Sequence, residues 1–199
     1  MVAQFSRPRG TLGHVAGWVM AHRRSNVERN RWTVGLLDLQ PADRVLELGC
    51  GPGVALGLVI AKLQDGSVTG LDHSALMLRQ AAKRNAAALR SRQLELRHGS
   101  LEYLPAHGTT YTKIFSVNVA QFFPDKVAAF RALADVLSPG GLIATTHQPR
   151  NAGASNEDAR RAAEIFSNAM AEVGFTKIRT EFLALRPAGA ICVLGVKPR

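Results

Sequence analysis

Between Val45 and Gly53 the chain reads Val-Leu-Glu-Leu-Gly-Cys-Gly-Pro-Gly, an apolar run that passes directly into glycines at every second position. Glycine adopts backbone angles closed to other residues and lets a ligand reach the main chain without meeting a β-carbon. A turn of this kind at the carboxyl end of a buried strand suits part of a nucleoside-type ligand. Asp72 closes the next apolar run, where a carboxylate can accept hydrogen bonds from ribose hydroxyls. Two plainer readings stand beside these. The glycines could serve only a tight strand-to-helix turn, and Asp72 could merely cap the helix that follows it.

Other chemistry-bearing residues are sparse. Cys50 and Cys192 form no CxxC or metal-ligand spacing, and they are read as free thiols with no metal site. The chain has 25 basic and 15 acidic residues, a formal charge of +10, which favours anionic partners at long range without identifying one. From Arg79 to Arg97 six basic residues (Arg79, Lys83, Arg84, Arg90, Arg92, Arg97) face a single acid, Glu95. Their spacing fits the solvated face of an alanine-rich helix and the strand after it. The aromatic interleaving that base stacking needs is missing there.

The elements that must position these residues follow from periodicity. At 199 residues, 46% hydrophobic and 20% charged, the chain suits one globular core with a small accessory element. No stretch approaches a membrane span, and the segment Val15–Ala21 is too short and interrupted for a secretory signal, so a cytoplasmic location is expected. Arg44–Leu48, Ser67–Leu71, Gln93–Arg97, Thr112–Val117 and Gly141–His147 read as strands alternating with helices, the signature of a parallel sheet. The helices start after Gly53, near Ser74 and at Pro124-Asp125, the last with an apolar face of Val127, Phe130, Ala134 and Leu137. Ser155 and Asp158 form a capping box for another helix with a face of Ala159, Ala162, Phe166, Met170 and Val173, stopped by Gly174.

Two further strand-like runs, Phe175–Leu185 and Ala190–Lys197, leave no room for a helix between them and read as an antiparallel hairpin. Ser25 and Glu28 suggest a capping box opening a helix towards Leu39, so residues 1–40 are expected to form a helical cap, packed by Trp18 and Trp32, with residues 41–199 as the core. The expected class is a doubly wound α/β fold with its ligand crevice beyond the carboxyl ends of the strands.

Taken in order, the Glu47-x-Gly49-x-Gly51-x-Gly53 turn, Asp72, Gly99–Pro105, the strand ending in Val117-Asn118 and Leu137-Ser138-Pro139-Gly140-Gly141 resemble the class I S-adenosylmethionine-dependent methyltransferases that act on quinones, lipids and other small metabolites. The resemblance runs from Arg44 to Pro198. It implies a mostly parallel seven-stranded sheet of order 3-2-1-4-5-7-6 with the terminal hairpin, S-adenosylmethionine as cofactor and a small-molecule acceptor. It also implies roles: Gly49, Gly51 and Gly53 border the methionine part, Glu47 and Cys50 belong to the same cofactor-binding turn, Asp72 takes the ribose, and His73 lies near the adenosine. Ser100 and Leu101 would meet the adenine edge, while Asn118 and Val119 would line the floor beneath the sulfonium. Relatives usually carry aspartate where this chain has Ser100; Glu102 is an alternative acceptor for the adenine amino group.

A methyl group on a sulfonium is already activated, so alignment and exclusion of water dominate the chemistry. His147, at the end of the predicted fifth strand, is the candidate general base and equally a candidate wall residue. His14 and His22 are weaker candidates. Against a nicotinamide-dependent oxidoreductase stands Val54, where GxGxxG requires a third glycine or alanine. A binding protein without chemistry keeps the same turn and remains open. Asn118-Val119-Ala120-Gln121 lacks the Asn/Asp-Pro-Pro-aromatic signature of many nucleic-acid methyltransferases, which argues against a nucleic-acid partner. A monomer or homodimer is expected.

Overall fold

A computed structural model of the chain describes residues 24–101, 104 and 110–199. Most of the expected cap, with His14, Trp18 and His22, lies outside the described residues, as does Glu102. The chain divides into two compact units at Ser100 and Leu101.

The first unit runs α1 (Arg24–Leu36), β1 (Arg44–Leu48), α2 (Val54–Ile60), β2 (Ser67–Asp72), α3 (Ala75–Arg84), α4 (Ala86–Arg90) and β3 (Leu94–His98). β1 pairs in parallel with β2, and β2 with β3. Every residue of β1 and β2 after the first is buried, which explains why both read as continuous apolar runs. The Ser74 side chain accepts from the Met77 N–H and caps α3, whose Leu76, Met77 and Ala81 are buried. Ser25 does not cap α1; it lies inside the helix, which already includes Arg24 and ends at Leu36. Ser-x-x-Glu spacing also arises within an uninterrupted helix, and Arg24 is a good helix former.

The second unit runs β4 (Tyr111–Val117), a 3₁₀ turn (Ala120–Phe122), α5 (Lys126–Val136), β5 (Leu137–His147), α6 (Asn156–Val173), β6 (Thr176–Leu183) and β7 (Ala190–Val196). β4 and β5 are parallel, and β7 is antiparallel to both β5 and β6, as the hairpin reading expected. The strand order is β3-β2-β1-β4-β5-β7-β6. β5 begins four residues earlier than its sequence signal, because Leu137 pairs with Tyr111 before the register jumps to Lys113 and Leu142. Pro139, which has no N–H, and Gly140, at φ 76°, occupy the interruption.

The α5 face differs from the expected one. Ala129, Phe130, Leu133 and Val136 are buried, whereas Val127 and Ala134 are half-buried and Leu137 already belongs to β5. Pro124 precedes the helix, whose cap is Asp125 accepting from the Ala128 N–H. α6 has the expected capping box between Ser155 and Asp158 and stops at Gly174, at φ 98°. Its buried line is Ala159, Ala163, Phe166, Ala169 and Met170, with Ala162 and Val173 at the margin. Phe166 meets Phe130 edge to face, with ring centroids 6.4 Å apart, joining α6 to α5. The outer strand β6 carries Lys177, Arg179 and Glu181 and a bulge at Lys177, φ 50°, devices that discourage pairing along a free edge. No helix among the described residues is long and apolar enough to cross a membrane.

Candidate functional site

In the first unit the glycine turn is fastened from three directions. Gly49 and Cys50 both donate their N–H groups to Leu71 O, at 2.7 and 3.1 Å, tying the turn to the end of β2. The Gly51 N–H donates to Asp72 Oδ2 at 2.8 Å, while Asp72 Oδ1 accepts from the Ser74 N–H, also at 2.8 Å. From the opposite side Asn85 donates Nδ2 to Gly53 O (3.0 Å) and Ala81 O (3.1 Å), and Arg84 donates Nε to Pro52 O (3.1 Å). Asp72 is 6% exposed.

The glycines differ in what they permit. Gly49, Gly51 and Gly53 have φ of 62°, 52° and 76°, a region costly for any other residue except asparagine or aspartate. A β-carbon on Gly51 would meet no atom within 4 Å, so this stretch of main chain borders open space. A β-carbon on Gly53 would lie 2.7 Å from Asn85 Nδ2 and 2.9 Å from Ala81 Cβ. The bare main chain at Gly53 is therefore required by the close approach of α3.

Glu47 and Cys50 sit beneath the turn. Glu47 is 3% exposed, and its Oε2 is buried with no hydrogen-bond partner. Burial pushes its carboxyl well above the usual range and the nearby Asp72 charge adds to this, while the Leu56 N–H acts the other way. Burial likewise pushes the Cys50 thiol up, reinforced by Glu47 and Asp72. Cys192, in β7, is buried too, and its thiol is pushed up to about 12. Both cysteines are free and neither is poised as a thiolate nucleophile.

His73 follows Asp72 with its side chain 53% exposed and Nδ1 3.9 Å from Asp72 Oδ1. His98 Nε2 lies 3.0 Å from His73 O, which joins the ends of β2 and β3. Ser100, the last residue of the unit, is exposed. The structure thus brings Glu47, Gly49, Cys50, Gly51, Gly53, Asp72 and His73 together around one turn. Asn85 and Arg84 carry little signal in the sequence: the first is an asparagine interrupting an alanine-rich helix, and the second falls among the basic residues of its solvated face. Among the described residues no three histidine, cysteine or acidic side chains gather as a metal site.

In the second unit Leu101 is half-buried, and its carbonyl accepts from the Leu104 N–H at 3.2 Å. Asn118 leaves β4 at φ 58°, donates its N–H to Thr146 O (2.8 Å) and accepts on Oδ1 from the Gln148 N–H (2.8 Å). Its own carbonyl accepts from Gln121 Nε2 at 2.9 Å. Val119 is half-buried and opens the 3₁₀ turn. His147 ends β5, half-buried, with its ring edge-on to Phe166 at 6.3 Å between centroids. That contact packs the end of β5 against α6.

A family described as "Methyltransferase domain" matches residues 45–141, from β1 into β5. The uncharacterized methyltransferase YdaC of Bacillus subtilis (strain 168) is 31% identical over 184 residues, covering 92% of this chain and 98% of that protein. Demethylmenaquinone methyltransferase of Bacillus cereus (strain B4264) is 31% identical over 124 residues, 61% of this chain and 52% of the relative, so the match spans about half of that enzyme. Among solved structures, magnesium protoporphyrin IX methyltransferase from Synechocystis PCC 6803 with bound SAM superposes with a TM-score of 0.64 at 20% identity, covering 95% of this chain and 86% of that one.

The Glu47 surroundings generate a pH signature. Its carboxyl is held above the ordinary 4.5 in the folded chain, so between that value and its folded one the folded state holds more protons than the unfolded. The associated stability is fully present below 4.5 and is lost as pH rises through the folded value. Glu47→Gln keeps the shape without the ionisation. Urea midpoints of the variant should therefore fall less than those of the wild type between mildly acidic and alkaline buffer. Parallel midpoints across that range would show that burial does not hold the carboxyl neutral.

Proposed function

The chain belongs to the class I S-adenosylmethionine-dependent methyltransferases, and from that premise we propose that its glycine turn and Asp72 hold the cofactor while a small organic molecule accepts the methyl group. The observation that carries this reading is the open space beside Gly51 combined with a carboxylate that both braces the turn and faces the same stretch of main chain. When bound, S-adenosylmethionine supplies a methyl group already activated on a sulfonium. The protein's residues then have to bind, orient and exclude water.

The residues present fit such a ligand. Asp72 spends one lone pair of each oxygen on Gly51 and Ser74, and a carboxylate keeps further acceptor positions for ribose hydroxyls. The orphaned Glu47 Oε2 is a buried polar atom beneath the turn, and the cofactor carries an ammonium group and a sulfonium. His73 is exposed beside Asp72 and is assigned to the adenosine side, with Ser100 at the end of the same unit. The nicotinamide reading loses its ground, because the family membership covers the glycine turn on which it rested.

The small-molecule acceptor is supported by the relative named for demethylmenaquinone. Two buried free thiols and the lack of a spanning helix among the described residues support a cytoplasmic enzyme. A monomer or homodimer is the assembly we assign to it. His147 is assigned to packing and to the wall of the acceptor space, since its ring lies against Phe166.

Isothermal calorimetry on the purified chain should show saturable binding of S-adenosylhomocysteine and no comparable binding of NAD or NADP. Preferential dinucleotide binding would reverse the assignment. Asp72→Ala removes hydrogen bonds to a charged group worth roughly 1.5–3 kcal/mol, so the S-adenosylhomocysteine affinity should drop by about ten- to a hundredfold. An unchanged affinity would reduce Asp72 to a brace for Ser74.

For His147→Ala the turnover number should drop less than about a hundredfold, below the bulk of the range for losing a general base, with the pH-rate profile keeping its shape. A larger loss together with disappearance of the limb near about pH 6.5 would make His147 the base.

A further inference from the structure

Among the described residues the large apolar side chains left exposed are Phe122, Ile165 and Phe182, at 59%, 54% and 48%. Two of the three gather at one place in the second unit. Ile165, on α6, lines a groove of about 520 Å³ between that helix and the start of α5. Phe122 stands two residues before Pro124, which lines the same groove. Half-buried Val127 and buried Ala169 form an apolar floor, and exposed Asp125 and Glu172 stand at the rim. An apolar hollow beside an exposed aliphatic side chain, rimmed by polar groups, is the pattern of a contact surface.

Charge decides what the groove fits. Lys126, the cation among the lining residues, turns its Nζ to Gln121 O at 3.4 Å and to Phe123 O. Asp125 caps α5 through Oδ1, and neither it nor Glu172 forms an ion pair among the described residues. The groove therefore suits a partner that is apolar at its centre and cationic at one end. α6 itself has that composition. Arg161, Ile165, Asn168 and Glu172, all exposed, follow at spacings of four, three and four, which places them on a single stripe. Reversed end for end, the stripe sets Arg161 against Glu172, so a two-fold axis through its middle joins opposite charges at both ends. Arg161 meets Asp158 Oδ1 at 2.6 Å within its own helix, but an exposed pair of this kind is weakly held and a guanidinium has five donors. A knob and a hollow on one face, related by such an axis, are what an isologous contact requires.

We propose that α6 packs antiparallel against α6 of a second copy, with Ile165 of each chain entering the groove of the other and Arg161 facing Glu172, so that the protein forms a two-fold homodimer through this face. The exposed aliphatic side chain is then buried at the centre and the charged pairs lie at the margin. The pairing involves no residue of the glycine turn and stands apart from the methyltransferase reading.

Sedimentation velocity on the purified full chain, followed from low to high micromolar concentration, should show a species of twice the chain mass that grows with concentration. Ile165→Glu should raise the dimer dissociation constant by about 30-fold or more, the loss expected of a central anchor. Glu172→Lys sets two cations against each other and should raise it by roughly 3- to 10-fold, and adding Arg161→Glu to the same chain should recover most of that loss. Phe182→Ser, on the outer strand β6, should leave dimerisation unchanged. Circular dichroism spectra matching the wild type show that the variants are folded. A chain that stays monomeric throughout, a dimer indifferent to Ile165→Glu, a dimer abolished by Phe182→Ser, or a double variant no tighter than Glu172→Lys overturns the proposal. A monomeric chain that binds an amphipathic leucine–lysine peptide, and loses it in Ile165→Glu, gives the groove to a different cationic partner and overturns it equally.

Discussion

The first unit turns on one carboxylate. Asp72 accepts from the Gly51 N–H with one oxygen and from the Ser74 N–H with the other, and so holds the glycine turn and the start of α3 in fixed relation. Hydrogen bonds to an ionised acceptor are about twice as strong as neutral ones, which lets a single buried side chain set the path of two separate loops. The turn itself has positive φ at three glycines, residues with wide conformational freedom, and has few contacts of its own above Gly51. Without an anchor from β2 it would have many conformations. With it, the main chain is laid out before any ligand arrives, and a site arranged in advance loses less freedom on binding.

Anchoring an exposed turn through a buried acid has an electrostatic consequence. Glu47, Cys50 and Asp72 share one small region, and the first two have their pKa pushed up, by burial first and by the neighbouring acids second. A cluster of this kind resists further negative charge and favours a cation in its vicinity. The overall charge of +10 conceals this local inversion, since Arg79, Lys83 and Arg90 of α3 and α4 are exposed and only Arg84 reaches the turn.

How far the amino acid sequence foretold the structure depended on the range of the interactions involved. β1 matches its expected span of Arg44–Leu48 to the residue, because a strand buried on both faces is marked by its apolar run and by the glycine that ends it. The α6 boundaries were equally plain, since Ser155, Asp158 and Gly174 are local signals acting within one turn. The face of α5 was displaced because Val127 and Leu137 are apolar at helical spacing, and only the packing of Phe130 against Phe166 selects Ala129, Leu133 and Val136 in their place. Among the site residues, those in the glycine turn and Asp72 were visible as types at fixed spacing. Asn85 and Gln148 were not, because the partners that place them, Gly53 for the first and Asn118 and Ala188 for the second, lie 32, 30 and 40 positions away and an amide carries no signature in a single sequence. The roles in ligand binding came from family resemblance, and the hydrogen bonds explain how the side chains are held.

The position of β7 between β5 and β6 bears on how the second unit comes into being. Synthesis delivers β5, then the long helix α6, then β6, and only afterwards the strand that joins them. Until β7 emerges, β5 has an open edge and β6 has no neighbour at all, while α6 already exposes the apolar line of Phe166 and Met170. Completion therefore requires late insertion of a strand into a prepared gap, and during that interval the nascent chain carries the unpaired edge and uncovered helix face that chaperones recognise.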